Sequence, residues 1–378
     1  MGAKVIISGG GTGGHIFPAL SIADSLKRID PQTEILFVGA LGKMEMEKVP
    51  AAGYPIIGLP VAGLQRNLSL SNLSLPYKVI KSLNKAQEII NTFKPDAVVG
   101  VGGYASAPML WKATANKIPC LIQEQNSYAG LTNRTLGKKV QKICVAYPGM
   151  ERFFPAEKII FTGNPIRSNI HPYTGEDKIP AAEYFGLNPE LPTLLVVGGS
   201  LGCGTLNRVL KNLTLQSKGE LPYQVIWQSG KGYRNEILEF FNANGGEVID
   251  ENSRKIGNIL NCDFIFKMEH AMALASIVVS RAGAGTISEL CAAGKATIFV
   301  PSPVVAEDHQ THNALSLVNS DAALMITDAD ADIELIGAID NLISDKEKIA
   351  QMEKNILALA KPNAAEVIAK EILNLIRR

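Results

Sequence analysis

Two glycine-rich segments, one in each half of the chain, have the residue types and spacing to hold phosphate. The first is Gly9-Gly10-Gly11-Thr12-Gly13-Gly14-His15, directly after the apolar run Val5-Ile6-Ile7. The second is Gly198-Gly199-Ser200-Leu201-Gly202-Cys203-Gly204, directly after Leu194-Leu195-Val196-Val197. Each leads into a helical pattern. Glycine lets a backbone approach a ligand closely, and the unpaired N–H groups and dipole of a helix N-terminus favour negative charge. One such site in each half predicts two domains facing each other across a cleft, each holding a phosphorylated ligand.

The first loop contains Gly9-x-Gly11-x-x-Gly14, a formal dinucleotide fingerprint. A nicotinamide site also wants an acid at the end of the second strand. Here that strand ends Phe37-Val38-Gly39-Ala40-Leu41, without a carboxylate. A diphosphate on a non-adenine ligand fits better. His15 stands where the loop enters its helix, and the helix N-terminus favours the neutral imidazole, able to accept a proton. The alternative is a packing or capping histidine.

Gly102-Gly103-Tyr104-Ala105-Ser106-Ala107-Pro108 and Gln123-Glu124-Gln125-Asn126 each follow a predicted strand, at the sheet edge where open α/β folds bind ligands. The bland reading of the first is a plain strand–helix turn. In the second half, Ser280–Glu289 reads as strand, small-residue loop and helix start, with Glu289 expected in the first helical turn. That glutamate either complements the dipole or binds ribose hydroxyls. Pro301–Asn313 carries Glu307, Asp308, His309, Gln310, His312 and Asn313, in no zinc spacing, so no metal and no cofactor are expected. Asp328-Ala329-Asp330-Ala331-Asp332 reads as capping of the helix that follows.

The elements that must position these segments alternate throughout. Strands are expected at Lys4–Ser8, Glu34–Val38, Ile56–Leu59, Ala97–Val101, Cys120–Gln123 and Ile143–Ala146. In the second half they are Leu194–Val197, Gln224–Trp227, Glu247–Ile249, Phe264–Phe266, Ile277–Ser280, Thr297–Val300 and Leu324–Ile326. Helices fall between them, near Ile16–Arg28, Asn72–Phe93, Ala105–Asn116, Thr205–Ser217, Tyr233–Asn244, Thr286–Ala293 and Gln310–Asn319. This is the pattern of α/β domains with doubly wound parallel sheets. Thr162–Pro192 breaks the rhythm with Gly163-Asn164-Pro165 and further prolines, so the linker is placed at its start. The tail from Ile333 reads as successive helices broken at Lys361-Pro362-Asn363, the last able to pack back on the first domain.

With 378 residues, 46% hydrophobic and 19% charged, the chain has ample core for two domains. Its net charge of +1 gives no support to a nucleic-acid role. Cys120, Cys144, Cys203, Cys262 and Cys291 form no CxxC pair and read as reduced core residues of a cytoplasmic protein. No secretory signal or transmembrane run is visible. Leu64–Lys85 interleaves leucines, Tyr77, Val79 and Ile80 with Lys78, Lys81 and Lys85, a pattern suited to an anionic bilayer surface or to a buried helix face.

Together, Gly10–His15, Gly102–Pro108, Gln123–Arg134, Gly163–Arg167, Gly198–Asn207, Ser280–Glu289 and Asp308–Ala314 resemble the MurG family, UDP-N-acetylglucosamine transferases that convert lipid I to lipid II in peptidoglycan synthesis. The resemblance implies a GT-B fold of two Rossmann-like domains: residues 1–163 for the acceptor and membrane, with helix 362–378 packing back, and 164–361 for UDP-GlcNAc. It implies an inverting, metal-independent transfer to undecaprenyl-diphospho-MurNAc-pentapeptide by a peripheral enzyme on the cytoplasmic face of the inner membrane, with cell-wall and division proteins as possible partners. The family's donor positions fall on Thr12, Gly13, Gly14, Asn126, Arg167, Ser200, Ile265, Ala284, Gly285, Thr286, Ile287, Ser288, Glu289 and Gln310. The acceptor diphosphate falls to Gly10, Gly11, Gly13, Gly14, His15, Gly103 and Tyr104, with Lys138-Lys139 adding to the membrane contact. His15 is the first candidate base and Glu124 the second. Ile265, expected on a strand edge, would reach uracil through its backbone. Cys203 and His309 depart from the family pattern. The alternatives are another GT-B glycolipid transferase, a UDP-GlcNAc 2-epimerase, an NAD oxidoreductase, or a non-catalytic sugar-nucleotide binder recruited to membranes.

Overall fold

A computed structural model describes residues 2–61, 75–167, 169–199, 201–305 and 308–377. The chain divides into two compact units: Met1–Ser168 with Lys361–Arg378, and Asn169–Ala360.

Unit 1 alternates strand and helix: β1 (Lys4–Ser8), α1 (Gly13–Ile29), β2 (Glu34–Ala40), α2 (Glu45–Ala51), β3 (Ile56–Leu59), α3 (Leu75–Phe93), β4 (Ala97–Gly100), α4 (Ser106–Ala115), β5 (Cys120–Glu124), α5 (Leu131–Gly137), β6 (Lys142–Val145) and β7 (Ile159–Phe161). The seven-stranded sheet runs β3-β2-β1-β4-β5-β6-β7, and every pairing is parallel. Both faces are covered, so its strands are apolar at successive positions. Val5 and Ile7 pack with Ile22 and Leu26 on one face, while Ile6 packs with Val98, Leu110 and Ile122 on the other.

Unit 2 continues with α6 (Gly175–Phe185), β8 (Thr193–Val197), α7 (Gly204–Ser217), β9 (Gln224–Gln228), α8 (Arg234–Ala243), β10 (Glu247–Val248), β11 (Ser253–Ile256), β12 (Ile259–Cys262), α9 (Met268–Leu274), β13 (Ile277–Ser280), α10 (Ala284–Ala293), β14 (Thr297–Phe299), α11 (His309–Val318), β15 (Ala323–Met325), α12 (Ala331–Ser344) and α13 (Lys346–Ala358). Its eight strands run β10-β11-β12-β9-β8-β13-β14-β15. The β10–β11 and β11–β12 pairings are antiparallel and the rest parallel. Finally α14 (Ala364–Ile376) returns to unit 1, where Ile368, Ile372 and Leu373 join the core beside α1.

Three departures from the sequence expectation trace to specific contacts. The expected strand Phe264–Phe266 does not form. The ladder is taken instead by a hairpin of β11 and β12, turned at Gly257-Asn258 with Ile256 opposite Ile259. Gly257 has φ +51°, the left-handed backbone a two-residue hairpin needs. The linker stretch contains a helix, α6, started where Asp177 Oδ2 accepts from Thr174 N at 2.7 Å. The division between units falls after Ser168 rather than at 163, because Asn164 is bound into unit 1. Its Nδ2 donates to Gln125 O, and Gln123 Nε2 donates to its Oδ1, both at 2.9 Å.

Candidate active site

In unit 1 the strand order reverses between β1 and β4, where neighbouring loops leave in opposite directions and open a crevice. The two glycine segments of this half, after β1 and after β4, flank that point. They touch. A Cβ on Gly103 would lie 2.2 Å from Gly10 O, and Gly103 has φ +80°.

The helix α1 begins at Gly13, three residues before the sequence expectation, so Gly13, Gly14 and His15 form its first turn. The amides of Gly13 and Gly14 therefore have no carbonyl within the helix to bond. His15 Nδ1 lies 3.1 Å from Gly10 O and 3.2 Å from Thr12 Oγ1. A carbonyl only accepts, so Nδ1 donates in that contact, and in the neutral ring the lone pair falls to Nε2. Thr12, at the N-cap position, makes no side-chain cap to the helix.

Glu124 ends β5 and is buried. Its Oε1 accepts from Asn126 N at 3.1 Å, and its Oε2 from Gly130 N at 3.0 Å and Asn133 Nδ2 at 2.9 Å. Burial raises its carboxyl above the ordinary range, against the pull of these bonds. Both oxygens are engaged in shaping the 125–130 loop that carries Asn126, which is half-buried. Gln125 Nε2 donates to Val101 O at 2.8 Å and ties that loop to the one after β4. Tyr104 is 57% exposed, and half-buried Arg167 lies in unit 1.

Unit 2 repeats the arrangement. Its order reverses between β8 and β13, flanked by the second glycine loop and by Arg281–Gly283. Gly202 has φ +81°, and a Cβ there would lie 2.1 Å from Ser229 O. Gln228 Nε2 holds Gly199 O at 3.0 Å. Ser200, a proposed diphosphate contact, lies outside the described residues, as do Ala306 and Glu307.

After β13, α10 opens at Ala284, so Ala284, Gly285 and Thr286 supply its first-turn amides. Glu289 is consequently in the second turn, not the first, and no acid stands in the first turn to repel an anion. Ile287 is buried, and Ser288 Oγ donates back to Ala284 O at 2.9 Å. Gln310 Oε1 accepts from Ser302 N at 2.9 Å, fixing the start of α11 to the segment after β14.

Ile265 is not on a strand but in the loop between β12 and α9, and it is buried. Asn252 clamps the preceding residue, accepting from Phe264 N at 3.1 Å and donating to Phe264 O at 2.9 Å. Beneath it, fully buried Arg254 donates to Asp263 Oδ1 at 2.6 Å and Asn261 Oδ1 at 2.7 Å.

The helix α12 is not capped by an aspartate side chain: Asp330 at the N-cap position makes no cap bond, and Asp332 already lies in the first turn. Asp328 instead pairs with Arg281 and accepts from Thr205 Oγ1 at 3.1 Å, while Asp332 pairs with Arg208. Arg281 also donates to Val300 O at 2.9 Å and Pro301 O at 2.8 Å. One aspartate thus joins the loop after β13, the end of β14 and the start of α7. Sequence reasoning missed this role because the partners lie more than a hundred residues from Asp328 in one case; the Gly257-Asn258 pair was the signal available for the hairpin.

Residues 5–145 match the glycosyltransferase family 28 N-terminal domain, and residues 193–371 the glycosyltransferase family 28 C-terminal domain. The chain belongs to glycosyltransferase family 28. A Parabacteroides distasonis relative, named UDP-N-acetylglucosamine–N-acetylmuramyl-(pentapeptide) pyrophosphoryl-undecaprenol N-acetylglucosamine transferase, is 50% identical over 99% of this chain and 98% of its own. A Cytophaga hutchinsonii relative of the same name is 50% identical over 99% of this chain and 97% of its own. The crystal structure of Acinetobacter baumannii MurG matches with TM-score 0.76 at 27% identity, over 98% of this chain and 99% of that one. Family 28 membership and the Rossmann-like form of both units make this a GT-B glycosyltransferase.

Proposed function

We propose that this glycosyltransferase moves GlcNAc from UDP-GlcNAc to the C4 hydroxyl of MurNAc in undecaprenyl-diphospho-MurNAc-pentapeptide, with inversion at C1. The observation that carries the reading is His15: a base nitrogen held by its own loop, in the first turn of a helix whose amides suit a diphosphate.

Unit 1 takes the acceptor, its diphosphate on the amides of the first glycine loop and beside Gly103 and Tyr104. Unit 2 takes the donor, its diphosphate on the second glycine loop and the α10 N-terminus, its ribose on Glu289 and its uracil on the main chain at Ile265. His15 Nε2 accepts the C4 hydroxyl proton as that oxygen bonds to C1. The bond from C1 to the UDP oxygen breaks, its electron pair leaves with the β-phosphate, and oriented amides stabilise the departing charge. Glu124, the second candidate base, shapes the loop beside His15 through both of its oxygens.

The acceptor's lipid requires a membrane surface. Tyr77, Val79 and Ile80 are exposed on α3, with Lys81 exposed among them. On α4, Trp111 is 46% exposed with Lys139 Nζ 3.8 Å from its ring centroid. Exposed apolar and aromatic side chains among lysines support peripheral attachment to an anionic inner leaflet. Residues 62–74 of this stretch lie outside the described residues, and among the described residues no helix is long and apolar enough to cross a membrane.

The test is incubation with labelled UDP-GlcNAc and a short-chain lipid I analogue, with chelator and no added metal. A β-linked disaccharide lipid with release of UDP supports the reading. Binding of UDP-GlcNAc without product refutes the acceptor assignment.

A further inference from the structure

We propose that Glu45 is a positioning residue for His15, acting through the single peptide plane between Gly10 and Gly11; the inference deepens the reading of His15 as the base. Glu45 is in the first turn of α2 and is 1% exposed. Its Oε2 accepts from Gly11 N at 2.9 Å and its Oε1 from Ala40 N at 2.8 Å. The Gly11 N–H and the Gly10 carbonyl belong to the same peptide unit. That unit is rigid and trans, so the two groups point in opposite directions. The carboxylate grips one side of the plane, and His15 Nδ1 bonds the other side at 3.1 Å. Fixing the plane fixes the acceptor that sets the imidazole's tautomer and direction.

The fold makes room for this grip. A Cβ on Gly10 would lie 2.1 Å from Glu45 Oε1, and one on Gly39 would lie 2.5 Å from Glu45 Cγ. Two glycines on different strands' ends thus accommodate one carboxylate. The arrangement has a cost. A negative charge beneath a phosphate loop opposes anion binding, and the exposed Gly11 amide is spent on the protein's own side chain. The ligand is left the amides of Gly13 and Gly14. A charge-assisted bond at that place serves orientation rather than affinity.

Glu45→Gln in the full-length protein keeps the side chain's volume but has one accepting oxygen for two N–H groups. The expected result is a kcat at least about tenfold lower, with KM for UDP-GlcNAc within about twofold. In a His15→Asn background the same substitution costs little more, because the residue it orients is gone. A kcat within about twofold of the unsubstituted enzyme, or an undiminished loss in the His15→Asn background, overturns the proposal. A second readout does not depend on activity. In ¹⁵N-histidine spectra, His15 is expected as the Nδ1–H tautomer and loses that preference in Glu45→Gln; an unchanged signal overturns the role. If His15→Asn leaves turnover intact, the base assignment fails, and this spectrum still decides whether Glu45 orients the ring. Should Glu45→Gln not fold, amide exchange in the unsubstituted protein decides: Gly11 is expected to be protected despite its exposure, and free exchange refutes the bond.

Discussion

Gly102 leaves open the space that the His15 ring fills. A Cβ on Gly102 would lie 2.8 Å from His15 Nε2 and 2.7 Å from its Cδ2, and Gly102 has φ +93°. The loop after β4 thus sets the position of the imidazole carried by the loop after β1. Gly102→Ala should displace the ring and strain the backbone. We expect kcat to fall roughly 100-fold, with about 1–3 kcal/mol of stability lost. Steady-state kinetics and denaturant unfolding of the same preparation check this. A variant with normal kcat would show that the ring position does not matter.

His15→Asn keeps a hydrogen-bonding side chain but removes the proposed base. The expected loss in kcat is about 10²- to 10⁴-fold, with UDP-GlcNAc affinity retained. Steady-state kinetics with UDP-GlcNAc and a short-chain lipid I analogue check this. A kcat within about twofold of the unsubstituted enzyme would refute the assignment of the base.

Arg254 and Asp263 form a pair buried within unit 2, beneath the loop that carries Ile265. Without Arg254, buried Asp263 still faces the half-exposed Arg234 Nε at 3.5 Å, so the loss is expected to stay below the roughly 3–5 kcal/mol of a wholly unpaired buried charge. Arg254→Met is therefore expected to lower stability by roughly 2–3 kcal/mol and to raise KM for UDP-GlcNAc. Replacing both partners, Arg254→Met with Asp263→Leu, should recover part of the stability. Chemical denaturation of the single and double variants measures it, and equal losses in both would contradict the account.

Lys295 is buried in the connection between α10 and β14, with Nζ donating to Ala275 O at 2.9 Å. Burial pushes its ammonium down from 10.5 to about 8, opposed by the nearby Glu353. Between about pH 8 and 10.5 the unfolded chain binds the proton and the folded protein does not, so stability rises with pH across that window. The penalty is fully present below about pH 8 and amounts to about 3 kcal/mol. Lys295→Met should flatten this part of the stability profile. Thermal melts across the window test it, and an unchanged slope would place the titration elsewhere.

Much of the fold was legible in the chain because strand, glycine turn and helix start lie within one short window. The apolar run Val5-Ile6-Ile7, the glycines after it and His15 need no distant residue to declare a ligand-facing loop. The same holds for Leu194–Val197 and the loop that follows. Glycine's access to positive φ and the unpaired amides of a helix start are local properties, and they mark both segments as candidate anion sites. What tertiary structure decided are relationships across the sequence. The ladder beside β9 went to the Ser253–Cys262 hairpin rather than to Phe264–Phe266, because strand pairing is chosen by partners and not by the strand's own apolar content. Asp328, read as a helix cap, was claimed by Arg281 and Thr205. Glu45 carries no motif in its neighbourhood, and its hold on Gly11 exists because β1 and β2 lie side by side in the sheet. Local chemistry specified which loops are built to suit a phosphate; packing between distant segments specified which way the His15 ring points.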